Sequence, residues 1–313
     1  MTRVASIGEC MIELSERPGG LLSRSFGGDT LNTAVYLARL GVAVDYITAL
    51  GDDEWSEDML RRWQAEGVGV SRVVRVPGRL PGLHLIRTDP GGQRRFFYWR
   101  NSSPARDLFA LPQTDEIAAA LVGYDLLYLS GVALSLYGEA GRERLFGLLD
   151  AARAQGRRIA FDTNFRVRGW PDREIAKAAF RAAIARADIV LASVEDLEPL
   201  FGEAGVAELP VANPKVEVVL KLAEPVVRLF HGGREETVPG EPAPDAIDTT
   251  AAGDSFAAAY IAARLAGAEP TVAARSGHRL AGAVVRHRGA IIPRAAMPEG
   301  MMPVSRTSEE ERS

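Results

Sequence analysis

Leu31-Asn-Thr-Ala-Val-Tyr-Leu-Ala-Arg-Leu40, followed almost at once by Val44-Asp-Tyr-Ile-Thr-Ala-Leu50, reads as a helix handing over to a strand, and it decides the fold. Before it stands the short apolar run Val4–Ile7, and after it the helical pattern Glu54–Glu66. Short apolar runs alternating with helical patterns are the mark of a layered α/β fold. The rhythm resumes with a helix near Thr114–Leu121, a strand at Tyr124–Ser130 and a helix at Glu139–Gln155. A strand at Arg158–Asp162, a helix at Arg173–Arg186 and a strand at Asp188–Ala192 follow. Runs this apolar suit a mainly parallel sheet covered on both faces.

Residues Ser71–Arg100 break the rhythm. Gly82-Leu-His-Leu-Ile-Arg-Thr88 and Gln93-Arg-Arg-Phe-Phe-Tyr-Trp-Arg100 flank the turn Asp89-Pro-Gly-Gly92, which predicts a β-hairpin set into the α/β layer. With the strand-like Met11–Ser15 and Arg24–Phe26, it makes a small separate sheet from about 11–27 and 71–101. Such a sheet stands over the C-terminal strand ends, where open α/β sheets place ligands. A lid there suits chemistry from which water must be kept out. The run Phe96-Phe97-Tyr98-Trp99 reads equally as a lid surface and as a subunit contact, and the two are compatible; the second implies a homo-oligomer formed through the lid. One domain over 1–298 is expected, with the polar, charged residues 299–313 as a disordered tail.

At 313 residues, 47% hydrophobic and 25% charged, the chain has material for one substantial core. A net charge of −4 argues against a nucleic-acid coat or a membrane-surface protein, and leaves room for a local basic pocket and an anionic small substrate. Cys10 is the only cysteine, so neither an internal disulfide nor a thiolate metal cluster can form. With no signal peptide or long apolar span, the expected location is the cytoplasm. The histidines His84, His231, His278 and His287 have no paired spacing for zinc. No GxSxG elbow or GxGxxG turn occurs, and Lys177, Lys215 and Lys221 all follow residues other than glycine, which excludes a Walker A loop.

A different phosphate signal stands near the end. Asp248-Thr-Thr-Ala-Ala-Gly-Asp254-Ser-Phe256 sets a turn of small residues and an acid at the mouth of the alanine-rich helix that runs on to Leu265. Small residues let backbone N–H groups approach an anion, and the helix adds its unpaired donors and positive dipole end. A carboxylate there repels a merely bound phosphate, but makes sense as a base that takes a proton from an attacking hydroxyl. Read locally, Asp254 and Ser255 serve equally as an N-cap and a first-turn polar residue.

Two segments together carry a resemblance to the ribokinase-type sugar kinases, the pfkB group: Phe26-Gly-Gly-Asp-Thr-Leu-Asn-Thr-Ala-Val-Tyr-Leu-Ala-Arg-Leu-Gly41 and Asp248–Phe256, in that order and separation. Further segments make the chain similar, within that group, to the 2-keto-3-deoxygluconate kinases. They are Gly8-Glu-Cys-Met-Ile-Glu-Leu-Ser15, Arg79-Leu-Pro-Gly-Leu83, Phe97-Tyr-Trp-Arg-Asn101, Tyr128-Leu-Ser-Gly131 and Arg288-Gly-Ala-Ile-Ile-Pro-Arg294. The likeness runs from about residue 4 to 298. It implies a ribokinase-like three-layer α/β fold and an ATP- and Mg2+-dependent transfer of a phosphoryl group to the terminal hydroxyl of a keto-deoxy sugar acid.

Residue by residue, the resemblance implies Asp254 as general base, with the N–H groups of Ala252, Gly253 and Asp254 as an anion hole. It sets Gly28, Asp29 and Asn32 at the acceptor's hydroxyls, Gly27-Gly28 letting the backbone close over a ligand; Asp29 alone also reads as the N-cap of the helix from Leu31. Arg100 and Arg166 match positions for a fork on the acceptor's carboxylate, although either alone also reads as a solvated charge. His84 stands where relatives carry a substrate-contacting aromatic, and Tyr98 joins it. On the nucleotide side come Asn164, Ser193, Lys221, Ala251, Ala252 and Gly253, with Glu195 and Asp196 holding the metal through water.

Two departures stand out. Residue 251 is alanine where the family usually has glycine; relatives with the keto-deoxy pattern share it, which implies an ordinary backbone there. Val218-Val-Leu-Lys-Leu-Ala-Glu-Pro225 lacks both glycines that normally shape the loop under the nucleotide, while Lys221 is retained. The competing readings are the same chemistry on another hexose or a nucleoside, and a non-catalytic sugar or nucleotide sensor on the same fold.

Overall fold

The computed structural model describes residues 2–88 and 94–301. Its main sheet holds β1 (Arg3–Ile7), β4 (Ala43–Ile47), β9 (Leu126–Ser130), β10 (Arg158–Asp162), β11 (Ile189–Ser193), β12 (Glu217–Lys221), β13 (Val226–His231) and β14 (Arg234–Pro239). A second sheet holds β2 (Met11–Glu16), β3 (Leu22–Gly27), β7 (Leu83–Thr88) and β8 (Arg94–Trp99), and a third pairs β5 (Ala49–Leu50) with β6 (Val74–Arg75). The helices are α1 (Asp29–Arg39), α2 (Glu54–Ala65), α3 (Thr114–Leu121), α4 (Gly131–Leu136), α5 (Glu139–Ala154), α6 (Arg173–Ile184), α7 (Val194–Ala212), α8 (Ala252–Leu265) and α9 (Pro270–Val284).

The main sheet runs β14-β13-β12-β11-β10-β9-β1-β4. Every pairing from β4 to β12 is parallel, and β12-β13-β14 finishes as an antiparallel edge. Each strand's side chains alternate between faces, so neighbours in β9 feed different cores. Leu127 and Leu129 pack with α3 to α7, while Leu126 and Tyr128 pack with α1, α2, α8 and α9. That is a three-layer α/β/α sandwich, as expected. Burial explains why periodicity found these strands, since β9 is buried at all five positions.

Several boundaries moved. Val44–Leu50 divides into β4 and β5, and β5 pairs with β6, so residues 71–82 lie outside the lid sheet, which uses 11–27 and 83–99. The hairpin β7–β8 is antiparallel with His84 opposite Tyr98, and β2 joins it in parallel. Its expected turn, Asp89–Gly92, lies outside the described residues, as does the expected tail from residue 302 onward. Val218–Pro225 is a strand to Lys221 and then a tight turn closed by Leu222 N–H to Val226 O at 3.0 Å. No glycine is required there because the chain turns straight back as β13.

The start of α1 is pressed onto the end of β1. Ser6 Oγ donates to Thr30 O at 2.8 Å, and Thr30 Oγ1 and Tyr46 OH share a bond at 3.0 Å. Gly28 is extended at φ −176°, so its need for glycine is steric: a Cβ there would lie 2.3 Å from Glu9 O and 3.0 Å from Cys10 Cα. The close approach is to the protein's own backbone, where a ligand had been expected. Gly28→Ala should lower stability by about 1–3 kcal/mol, the usual cost of overpacking, read as a shift of the urea midpoint at unchanged slope.

Candidate active site

Parallel strands deliver their C-terminal ends to one edge. Gly8–Cys10 leaves β1 there, Thr163–Arg166 leaves β10, Val194–Asp196 follows β11, and Lys221 ends β12. The N-terminus of α8 comes to the same place from the other layer. Its approach is clamped: Asp248 accepts from Thr250 N–H and Gly289 N–H at 2.9 Å each, while Ile247 and Asp248 N–H donate to Val285 O at 2.7 and 3.1 Å.

Asp254 is not an N-cap. Its carboxylate accepts from Asn32 Nδ2 at 2.8 Å, across 222 residues of sequence. Beside it, Asn164 Nδ2 donates to Asp29 at 2.6 Å, and Asp29 makes no capping bond within α1, whose N-cap is Gly28. Lys221 Nζ lies 3.7 Å from Asp162 Oδ1, and a Cβ built on Gly253 would fall 3.5 Å from that same ammonium. Tyr128 OH stands between the groups, 3.1 Å from Thr33 Oγ1 and 3.4 Å from Asp162 Oδ2.

Three carboxylates so close cannot all ionise freely. Burial, helped by the charges of Asp29 and Asp162, pushes Asp254 up to about 8 against the pull of Asn32 and Lys221. Burial likewise raises Asp162 to about 6, with Lys221 opposing. A base poised near neutrality is what proton abstraction from a hydroxyl calls for.

The turn before α8 corrects an expectation. Ala251 is left-handed, at φ 61° and ψ 15°. With Asn164 at φ 25° it is one of two non-glycine residues with positive φ among those described, and both lie at this edge. Of the three N–H groups expected as an anion hole, that of Ala252 donates to Thr249 O at 3.2 Å. Helix geometry leaves the N–H groups of Gly253 and Asp254 without intrahelical acceptors.

Other expected residues have partners of their own. Arg100 is held by Glu9, and Arg166, 62% exposed, donates to Asp196 at 2.9 Å, so each expected member of the fork is paired with an acid of its own. Asn164, expected at the nucleotide, donates to Asp29, a residue expected at the acceptor. Ser193 is the N-cap of α7, accepting from Asp196 N–H at 3.1 Å. His84 Nε2 lies 3.0 Å from Glu13 Oε2, its Nδ1 is buried without a partner, and Tyr98 is 47% exposed with its ring 6.0 Å from that of His84. Sequence reasoning missed Asp162, Asp248 and Glu9. Glu9 and Asp248 stood inside quoted segments, and Asp162 ended an expected strand.

Among the described residues no three of His, Cys, Asp or Glu are grouped to hold a metal ion. Magnesium needs no such cage, since it keeps several waters and takes one or two carboxylates beside phosphate oxygens. Glu195, exposed in the first turn of α7, fits a hydrated ion; Asp196 fits less well, because Arg166 and Thr163 Oγ1 at 3.2 Å already engage it.

The model of the pfkB family carbohydrate kinases matches residues 1–297. A 2-dehydro-3-deoxygluconokinase of Dickeya dadantii is 43% identical over 305 residues, covering 94% of this chain and 98% of that protein. A PfkB protein from Polaromonas sp. JS666 superposes with a TM-score of 0.81 at 28% identity, covering 94% and 98% of the two chains. A fructokinase from Xylella fastidiosa, solved with bound ATP, superposes at 0.79 with 23% identity, each chain covered to 95%.

Two outcomes follow. Ala251→Gly should raise stability by about 1 kcal/mol by relieving the left-handed strain, seen as a higher melting temperature. Asp254 has a folded pKa of about 8 against the ordinary 3.8, so its stabilising contribution is full below 3.8 and is lost as pH rises through about 8. Asp254→Asn cannot ionise, and its stability should therefore gain on the wild type between those two pH values. Urea titrations at both ends that show a constant gap would contradict the assignment.

Proposed function

The chain belongs to the pfkB family of carbohydrate kinases, and from that membership we propose that it transfers the γ-phosphoryl group of ATP to the terminal hydroxyl of 2-keto-3-deoxygluconate. The observation that carries the reading is Asp254, a carboxylate raised toward neutrality in the first turn of α8 and hydrogen-bonded to Asn32. It stands beside two outward N–H groups and a lysine.

In this reading Asp254 takes the proton of the acceptor's hydroxyl as the new O–P bond forms. The bond from the γ-phosphorus to the β–γ bridging oxygen breaks, and its electron pair leaves with ADP. The N–H groups of Gly253 and Asp254, with the ammonium of Lys221, offset charge on the transferring oxygens. Asp29, Asn32 and Asn164 orient the acceptor. Bound Mg2+ would supply charge neutralisation at the phosphates, held through water at Glu195. The small sheet of β2, β3, β7 and β8 serves as the lid that excludes water, and its exposed Phe96, Phe97, Tyr98 and Trp99 serve as the contact with a second copy of the chain.

Selection of a sugar acid rests on Arg100, which sits mostly buried at the end of the lid. The identity to 2-dehydro-3-deoxygluconokinases supports the same acceptor. ADP release with Mg-ATP should be fastest on 2-keto-3-deoxygluconate among that acid, fructose, ribose and adenosine. A neutral sugar or nucleoside that turns over faster would refute the acceptor, while binding without ADP release would favour a sensor. Asp254→Asn should keep acceptor binding and lose about 10²- to 10⁴-fold in kcat, with kcat/KM of the wild type rising with pH toward about 8. Arg100→Ala should cost roughly 2–5 kcal/mol in recognition of the acid and spare fructose.

A further inference from the structure

The loop Gly8-Glu9-Cys10 leads from β1 of the main sheet into β2 of the small sheet, and Arg100 follows directly after β8, the last strand of that small sheet. The ion pair between Glu9 Oε2 and Arg100 therefore joins the way into the lid to the way out of it. The Glu9 side chain is 1% exposed and that of Arg100 18%. Within this buried pair, Glu9 Oε1 and Arg100 Nε have no hydrogen-bond partner.

Stability alone does not account for such a pair. Two charges taken out of water are compensated only when their remaining lone pairs and protons are satisfied, and here one of each is left over. A carboxylate on one edge of a guanidinium does something else well: it fixes a planar fork in one orientation and leaves the other N–H groups for a further acceptor. The surroundings are fitted to the pair. A Cβ on Gly82 would lie 3.0 Å from Glu9 Oε1, 3.0 Å from Met11 Cγ and 3.1 Å from Arg100 Cβ, so glycine is what lets the loop close over it. The Tyr137 hydroxyl is also buried without a partner, and the charges of both Glu9 and Asp29 act on it, which sets all three in one polar neighbourhood running toward the acceptor end.

We propose that Glu9 is a positioning residue: by holding one edge of Arg100 it aims the guanidinium at an acidic acceptor, and so sets the preference for acid over neutral sugars. This role rests on the reading of the acceptor as a sugar acid. Glu9 itself touches no reacting atom.

The test is steady-state kinetics of the full-length enzyme with Mg-ATP, using 2-keto-3-deoxygluconate and fructose as acceptors, for wild type, Glu9→Ala, Glu9→Gln and Gly82→Ala. Melting curves confirm that each variant is folded. Glu9→Ala should raise KM for the acid by about tenfold or more, the scale of a misaimed contact, with kcat and the KM values for ATP and fructose little changed. Glu9→Gln keeps an amide oxygen for the Arg100 N–H and should restore KM to within about threefold of wild type. Gly82→Ala should reproduce the Glu9→Ala effect without altering charge. If KM for the acid falls in Glu9→Ala, Glu9 merely competes for Arg100 and the proposal is overturned. Equal losses on both acceptors, or a Glu9→Gln variant as impaired as the alanine, overturn it as well. A wild-type enzyme with no preference for the acid refutes the acceptor reading and this role together; a wild type that prefers it, beside a Glu9→Ala variant whose preference is undiminished, refutes the role alone.

Discussion

Asp29 on α1, Asp162 at the end of β10 and Asp254 on α8 meet at one edge of the main sheet, with Lys221 as the ammonium that comes in among them. Their mutual repulsion is the constraint on which the rest of the site depends. Crowding charges in a partly dry setting is unfavourable, and burial pushes both Asp254 and Asp162 up. Asp162 has the lysine beside it, and Asp29 has Asn164 at 2.6 Å. Asp254 has Asn32 and a more distant Lys221, and it is raised further than Asp162. The basicity of the candidate base is thus set by burial first and by the charged cluster around it second.

That arrangement requires α8 to start in one place and in one direction. Asp248 ties the approaching loop to Gly289, and the left-handed Ala251 then turns the chain sharply enough for Gly253 to come up under the Lys221 ammonium. A left-handed alanine is unfavourable by about 1–2 kcal/mol, yet the clamp on one side and the tightly packed Phe256–Ile261 on the other fix the backbone between them. Strain held at a site by rigid neighbours is a common companion of pre-organisation. Here it coincides with the second positive-φ residue, Asn164, on the facing strand end.

How far this was legible depended on the kind of signal. The layered α/β fold was readable because central strands such as β9 and β10 are buried on both faces and interrupt the helical period cleanly. Helix α7 was invisible to the same reading, because Gly202 at φ 75° and the prolines at 199 and 210 break its pattern. The hairpin of β13 and β14 carried a usable signal in Gly232-Gly233, at φ 58° and 75°, but exposed glutamates on β14 hid the alternation. At the site, motif and resemblance together named Asp254, Asp29, Asn32 and Lys221, which the fold brings together. Pairings that join distant segments, Arg100 to Glu9 and Arg166 to Asp196, have no local signature, and a lone arginine cannot announce which acid neutralises it.

The contrast between the two sheets bears on how such an enzyme could exclude water. The main-sheet strands β1 and β9 to β12 are sealed between two cores, so moving any of them would expose apolar surface on both faces at roughly 25 cal/mol per Å². The small sheet is far less covered: half of β3 is exposed, and β8 shows Phe96 to Trp99 to solvent. Its four strands form one continuous ladder, with Ile12 of β2 buried in the core on the α1 side. Its points of attachment are then what govern it, and those are the strand-like exits at Gly27-Gly28, Gly82 and Arg100, crowded around Glu9. In the proposed reaction, a platform that fixes base and anion site, joined through a few tight glycines to a lid that carries the acceptor's arginine, separates chemistry from recognition. There the first rests on burial and charge crowding at the edge of the main sheet, and the second on the ion pair at the seam.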